Sequence, residues 1–277
     1  MLECVANLSE GRRTEVIEHL ARAAGPSLLD VHVDPDHHRS VFTLAGPAAD
    51  DAEAAARALA RAAAGTLDLA EHSGVHPRIG AVDVVPFVAL AGSAPADAVR
   101  AAREFASWIT AELGIPAHLY GEADPQGRTL PEVRARTGDA AGGTALGAVA
   151  VGARPVLVAV NCDLERDDVE VARAVAGAVR ERDGGLPGVR ALGFRLASRA
   201  RAQVSMNLVD LHATGLEEAC WAVRRESRAR GVDVAGIELV GLVPRTELTR
   251  CTPEFLEWSA LDDASTLEAR LERQRGL

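Results

Sequence analysis

Lysine is missing altogether: the 30 basic residues of this 277-residue chain are all arginine. Without a lysine amine, Schiff-base catalysis and a lysine-bound pyridoxal cofactor are excluded. An arginine- and alanine-rich composition is also what a GC-biased genome produces. Cysteine is scarce, with Cys4, Cys162, Cys220 and Cys251 spread over the whole chain and no C-x-x-C pair. That spacing argues against a disulfide framework or a structural zinc site, and buried reduced thiols in a cytoplasmic protein are expected. No apolar run approaches the roughly 20 residues of a membrane span. The start, Met1-Leu2-Glu3-Cys4, has no basic region followed by an apolar stretch, so no secretory signal is expected. Acidic residues outnumber basic ones 40 to 30, a net charge of −10, which disfavours general nucleic-acid binding. There is no G-x-G-x-x-G, Walker loop or G-x-S-x-G. What is present is 48% hydrophobic and 25% charged residues, enough for a real core in one large domain or two small ones.

Periodicity and punctuation place the elements. Leu2 to Asn7 predicts a strand, and Ser9 is the expected N-cap of a helix over about 12–24 that Gly25-Pro26 ends. Ser27 to Val33 and Arg39 to Gly46 predict strands, and 49–69 an alanine-rich helix. Ala81 to Leu90 predicts a strand in which Pro86 marks an edge or a bulge. A helix over Pro95 to Leu113 and a short strand over Ala117 to Tyr120 follow. From Gly121 to Gly152, Asp124-Pro125-Gln126-Gly127, Gly142-Gly143 and small apolar residues predict a loop and linker. The second half repeats the grammar, with strands at Val156–Asn161, Val189–Leu196, Gln203–Leu211 and Ile237–Val243. Helices are expected at Glu165–Arg182 and Thr214–Arg230, and a helical tail follows. This order predicts an α/β protein of the α+β plait type. It comprises two ferredoxin-like βαββαβ subdomains, residues 1–150 and 151–277, with a polar groove between them.

The histidines are concentrated. Five of eight, His32, His37, His38, His72 and His76, fall between residues 30 and 80. Imidazole titrates near working pH, which suits a general acid or base. In Glu71-His72-Ser73-Gly74-Val75-His76-Pro77-Arg78-Ile79-Gly80, Pro77 pushes His76 toward an extended backbone, and Gly74 and Gly80 allow close approach to a ligand. The plain alternative is an exposed loop histidine. A metal site is the rival: His72 and His76 are four apart, but Gly74 and Pro77 oppose the helix that would align them. His37 and His38 with Asp34 or Asp36 form an imaginable second set, but spacing alone carries little, and no metal is expected. Asp34-Pro35-Asp36-His37-His38-Arg39 reads either as a solvated turn or as a polar loop with Arg39 as an anion clamp. Asn7-Leu8-Ser9-Glu10-Gly11 lies where a helix N-terminus could hold an anion, and capping explains it equally well.

These same segments resemble the formiminotransferase (glutamate formimidoyltransferase) family over nearly the whole chain. Glu3-Cys4-Val5-Ala6-Asn7-Leu8-Ser9-Glu10-Gly11 is similar to the family's E-C-V-P-N-F-S-E-G, and His76-Pro77-Arg78-Ile79-Gly80-Ala81-Val82-Asp83 to H-P-R-x-G-A-x-D. Further matches are Tyr120-Gly121-Glu122-Ala123, Arg128-Thr129-Leu130-Pro131, Gln203 to Leu208 and Glu238 to Pro244. The resemblance implies two α/β subdomains, tetrahydrofolate as co-substrate, a homodimer, and a cytoplasmic transferase of one-carbon and histidine metabolism. The reaction implied is transfer of a formimino or formyl group between a small donor such as N-formimino-L-glutamate and tetrahydrofolate. The family's catalytic base maps onto His76. Asn7, Ser9, Glu10, Arg39, Arg78, Gly80, Asp83 and Glu122 are the implied substrate- and folate-binding positions, with the folate glutamate tail near Arg39 or Arg78. Where the family reads near D-V-D-x-x-x-x-x-N-R, this chain has His32 for the second aspartate and His38 for the asparagine, so Asp34 or Asp36 is the expected carboxylate partner of His76. The 121–152 loop is shorter than the family's, P-D-F-G-P is absent, and no cyclodeaminase domain is expected. Neither nucleic acid nor membrane is an expected partner. The alternatives are a non-catalytic folate-binding protein and a one-carbon transferase acting on a different substrate.

Overall fold

A computed structural model describes residues 1–48, 50–138 and 145–276. The chain divides into two compact units, Met1–Pro155 and Val156–Leu277. The first runs β1 (Leu2–Leu8), α1 (Thr14–Ala24), β2 (Leu28–Asp34), β3 (Arg39–Ala45), α2 (Asp51–Ala64), β4 (Val82–Ala89), α3 (Pro95–Leu113), β5 (Ala117–Gly121), α4 (Leu130–Thr137) and β6 (Val149–Ala153). Its sheet has the order β2-β3-β1-β4-β6-β5. The first four strands, with α1 and α2, have the expected ferredoxin-like arrangement. The second unit has the same arrangement in β7 (Val158–Leu164), α5 (Val169–Val179), β8 (Val189–Leu196), β9 (Arg201–Leu208), α6 (Leu216–Arg228) and β10 (Val234–Leu239), ordered β10-β7-β9-β8. Its tail is helical, with α7 (Arg245–Leu248), α8 (Pro253–Ser259) and α9 (Leu267–Gln274). Among the described residues no helix is long and apolar enough to cross a membrane.

Side-chain periodicity explains the layering. Alternate residues of β1 (Cys4, Ala6, Leu8) and of β3 (Phe42, Leu44) enter one core with Phe87 of β4. The helices answer with alanine-rich apolar stripes: Ala52, Ala55, Ala56, Leu59, Ala60 and Ala63 on α2, and Ala98, Ala101, Ala102, Phe105 and Ile109 on α3. The intervening residues of β1 and β3, among them Asn7 and Arg39, face away from those helices.

Three expectations need correction. Among its described residues the segment 121–152 contains α4 and most of β6. A Thr129–Glu132 capping box opens α4, and β6 runs parallel between β4 and β5. Its small residues reflect crowding: a Cβ on Gly152 would lie 2.5 Å from the Tyr120 ring. Residues 139–144, with Gly142-Gly143, lie outside the described residues. Ser9 does not cap α1, whose N-cap position is Arg13. The Ser9 hydroxyl instead donates to the Gly80 carbonyl at 2.8 Å. Finally, Pro86 lies on an interior strand, not an edge, and the irregularity in β1–β4 pairing falls where Asn7 opposes Val84 and Leu8 opposes Val82. That step leaves Asp83 as the extra residue, and bulges commonly re-aim a side chain in this way.

Candidate functional site

Three loops of the first unit meet backbone to backbone. A Cβ on Gly74 would lie 2.3 Å from the His37 carbonyl oxygen, and one on Gly11 2.3 Å from that of Asp34. Only glycine permits this approach. The Val75 N–H donates to the Asp36 carbonyl at 3.1 Å, and the His37 N–H to the Asp34 carboxylate at 2.7 Å. His38 adopts a left-handed backbone, φ 51°. The third glycine, Gly80, lies under the loop, where a Cβ would meet the Ala148 carbonyl oxygen at 1.9 Å.

At the centre is Asp83, fully buried. Its Oδ2 accepts from Arg39 Nη1 at 2.6 Å and from Arg134 Nη2 at 2.7 Å, and its Oδ1 from the Ile79 N–H at 2.7 Å. Burial would raise this carboxyl, but the two guanidiniums and the Ile79 N–H outweigh it and keep it ionised. Arg39 Nε donates to Asn7 Oδ1 at 3.1 Å, so β1, β3, the β4 bulge and α4 are all tied to one carboxylate.

His76 lies against this network. Its Nδ1 is 2.7 Å from the Pro77 carbonyl oxygen and 3.3 Å from Arg39 Nη1. The Pro77 carbonyl only accepts and the Arg39 guanidinium only donates, so the two contacts call for opposite states of Nδ1; the shorter one favours the proton on Nδ1, with Nε2 as the basic nitrogen. Burial, then the charges of Arg39 and Arg134, push the His76 pKa well below the usual imidazole value. The ring is neutral at neutral pH.

A second cluster lies beside the first. The imidazoles of His38 and His72 stack with centroids 4.1 Å apart and planes 9° apart. His38 Nδ1 donates to the Ser73 carbonyl at 3.0 Å, His38 Nε2 lies 3.3 Å from Glu10 Oε1, and His72 Nε2 donates to the His38 carbonyl at 2.7 Å. Burial holds the His38 pKa down and takes that of His72 to about 4. Burial would raise the Glu10 carboxyl. The backbone N–H groups of Arg13 and Arg12 and the Arg13 side chain overcome this and lower it to about 2. Glu10 is thus the anion at the start of α1. Arg78 Nη2 donates to the His72 carbonyl at 3.0 Å, while its Nε is buried without an acceptor.

Asn7, Glu10, Arg39, His76, Arg78 and Asp83 therefore share one neighbourhood, with Ser9 and Gly80 joined to each other beneath it. Glu122 stands apart. The strand register aligns Val84 with Ala150 and Ala150 with His118, so Asp83 begins β4 whereas exposed Glu122 follows the end of β5. At about 3.3 Å per residue, the two lie roughly 16 Å apart along the strands. Arg134 is the residue that sequence reasoning missed. It lies on α4, and Thr129-Leu130-Pro131-Glu132 was the available signal for that helix. The histidine stack is packing geometry, and among the described residues no group of three or more His, Cys, Asp or Glu is placed to hold a metal ion. In the second unit, the resembling residues Gln203 and Glu238 join a polar cluster. There Arg199 bridges Asp163 and Glu238 at 3.3 and 3.2 Å, and Gln203 donates to Asp163 at 2.9 Å.

Comparison with known proteins agrees with these motifs. Residues 1–154 match the formiminotransferase domain, N-terminal subdomain, and residues 159–270 match the formiminotransferase domain. The chain is 34% identical to a glutamate formimidoyltransferase of Thermoplasma acidophilum, over 99% of this chain and 98% of that protein. It is 35% identical to a glutamate formimidoyltransferase of Streptococcus pyogenes, over 95% of each. It is 37% identical to a formimidoyltransferase-cyclodeaminase of Sus scrofa, over 93% of this chain and 52% of that protein. With both halves matched and the H-P-R loop set around a neutral imidazole, the chain belongs to the formiminotransferase family.

Proposed function

We propose that this protein transfers a formimino group from N-formimino-L-glutamate to tetrahydrofolate, with His76 as the proton carrier. The observation that carries this reading is the His76 ring, neutral and with its proton fixed on Nδ1 by the Pro77 carbonyl. As the folate nitrogen bonds to the formimino carbon, Nε2 takes its proton. As the carbon–nitrogen bond to glutamate breaks, the imidazolium returns that proton to the departing amine. A lowered pKa favours the second transfer, because the imidazolium beside Arg39 and Arg134 is a strong acid. No charge is left on the ring after a cycle.

Both substrates are anionic, and the arginines suit them. Arg78, whose Nε is buried without an acceptor, is the partner proposed for the folate glutamate tail, and Arg39, beside His76, is the partner proposed for a carboxylate of the formimino donor. Asn7, Glu10, Asp83 and Gly80 shape that neighbourhood, and Glu122 would reach a ligand only at its far end. The proposed N- and C-terminal subdomains, expected at 1–150 and 151–277, divide after β6, at Met1–Pro155 and Val156–Leu277. All four thiols are unpaired, which suits a reducing, cytoplasmic setting, and a homodimer is the assembly the family resemblance implies. The test is steady-state turnover of N-formimino-L-glutamate with tetrahydrofolate, with glutamate and 5-formiminotetrahydrofolate as products. Folate binding without turnover would favour the non-catalytic alternative.

A further inference from the structure

Two guanidiniums share one carboxylate beside the His76 ring. Asp83 is fully buried, whereas the Arg39 and Arg134 side chains keep 12% and 20% exposure. One carboxylate neutralises one guanidinium, so the pair retains a positive charge next to a neutral imidazole. Arg134 Nε is buried without an acceptor, although a guanidinium carries five donors in a planar fork that matches a carboxylate. Arg39 Nη1 lies 3.3 Å from His76 Nδ1, so an anion on this pair would sit within a few bonds of the ring.

We propose that Arg134, with Arg39, seats the α-carboxylate of the formimino donor and thereby selects α-amino-acid donors. The inference rests on the formimino-transfer reading given above. In an N-formimino amino acid the carboxylate is two bonds from the nitrogen that must receive the proton. Holding that carboxylate on the arginine pair leaves the nitrogen at the imidazole. The carboxylates of a folate lie beyond a rigid aminobenzoyl spacer and cannot reach the same pair while the pteridine nitrogen is at His76. Proximity of this kind is how a remote charge sets the geometry of a proton transfer. Arg134 stands on a short helix held by its own capping box, so its position is built in.

The experiment compares wild type, Arg134→Gln and Arg134→Lys with two donors: N-formimino-L-glutamate and N-formimino-γ-aminobutyrate, which lacks the α-carboxylate. Losing one charged hydrogen-bond partner should raise the donor KM of Arg134→Gln roughly 10- to 100-fold, with the folate KM held within about twofold. Arg134→Lys should recover part of the loss. Removing the donor carboxylate should cost the wild type at least as large a factor but cost Arg134→Gln several-fold less than it costs the wild type, because only the Arg39 contact is then left to lose. An unchanged donor KM in Arg134→Gln, an equal rise in folate KM, or losses that simply add would overturn the assignment while leaving the reaction intact. Absence of turnover by the wild type with either donor would overturn the reaction reading itself.

Discussion

Replacing Asp83 by asparagine tests the centre of the site. The carboxylate accepts three hydrogen bonds in complete burial: two from guanidiniums on Oδ2 and one from the Ile79 N–H on Oδ1. An amide has one acceptor oxygen. If that oxygen faces the arginines, the NH2 group opposes the Ile79 N–H and leaves a buried donor unsatisfied, which costs about 1–3 kcal/mol. If the amide flips, both arginines face a donor. Either way two guanidiniums lose their counter-charge, and removing one partner of a buried pair costs about 3–5 kcal/mol. The arginines keep some access to water, which relieves part of this, so the whole loss is expected at about 3–5 kcal/mol. For a chain of this size that is a fall in Tm of roughly 6–20 °C. Urea unfolding followed by far-UV circular dichroism measures it, provided the slope is unchanged. The double variant Asp83→Asn/Arg134→Gln should lose less than the sum of the singles, by on the order of 1 kcal/mol, because removing one guanidinium relieves the excess charge. A loss under about 1 kcal/mol for Asp83→Asn, or strict additivity in the double variant, would refute this account of the network.

His76→Ala should lower kcat on the order of 10² to 10⁴-fold while folate affinity by titration calorimetry stays near wild type; wild-type turnover would remove His76 from the chemistry. Arg78→Ala should weaken folate binding by at most about 100-fold, the size of one charged hydrogen bond, and unchanged affinity would take Arg78 out of the folate site. Stability should fall as pH drops from about 6.5 toward 4. Burial takes the folded His72 pKa to about 4, against about 6.5 for an imidazole in the unfolded chain, so across that window the unfolded chain binds the extra proton. This group alone contributes a loss of about 3 kcal/mol by the bottom of the window, with His38 and His76 shifted in the same direction. Urea midpoints that stay flat between pH 7 and 4.5 would contradict it.

Much of the protein was legible in its residues because the relevant signals are local. Alternating apolar positions in Cys4–Ala6–Leu8 and Phe42–Leu44, and the alanine stripes of α2 and α3, set the strand and helix order, and that order specified two plaits. The H-P-R loop marked His76, and Gly74 and Gly80, expected to let the backbone approach a ligand, let it approach the His37 and Ala148 carbonyls instead. What only the tertiary structure decided was non-local. Strand β6 has too little apolar bulk to announce itself, and Tyr120 on a neighbouring strand leaves no room for a side chain at Gly152. Ser9 has the chemistry of a cap, but its hydroxyl donates to Gly80, 71 positions away, and Glu10 takes over the helix start. Asp83, placed by a bulge, is the buried carboxylate that Arg39 and Arg134 share beside His76. Arg134 joins Arg39 on that carboxylate only because α4 crosses back over the sheet. Spacing along a chain reports which groups can share a helix face or a strand. It does not report which charges, 44 and 51 residues apart, will be buried on the same oxygen.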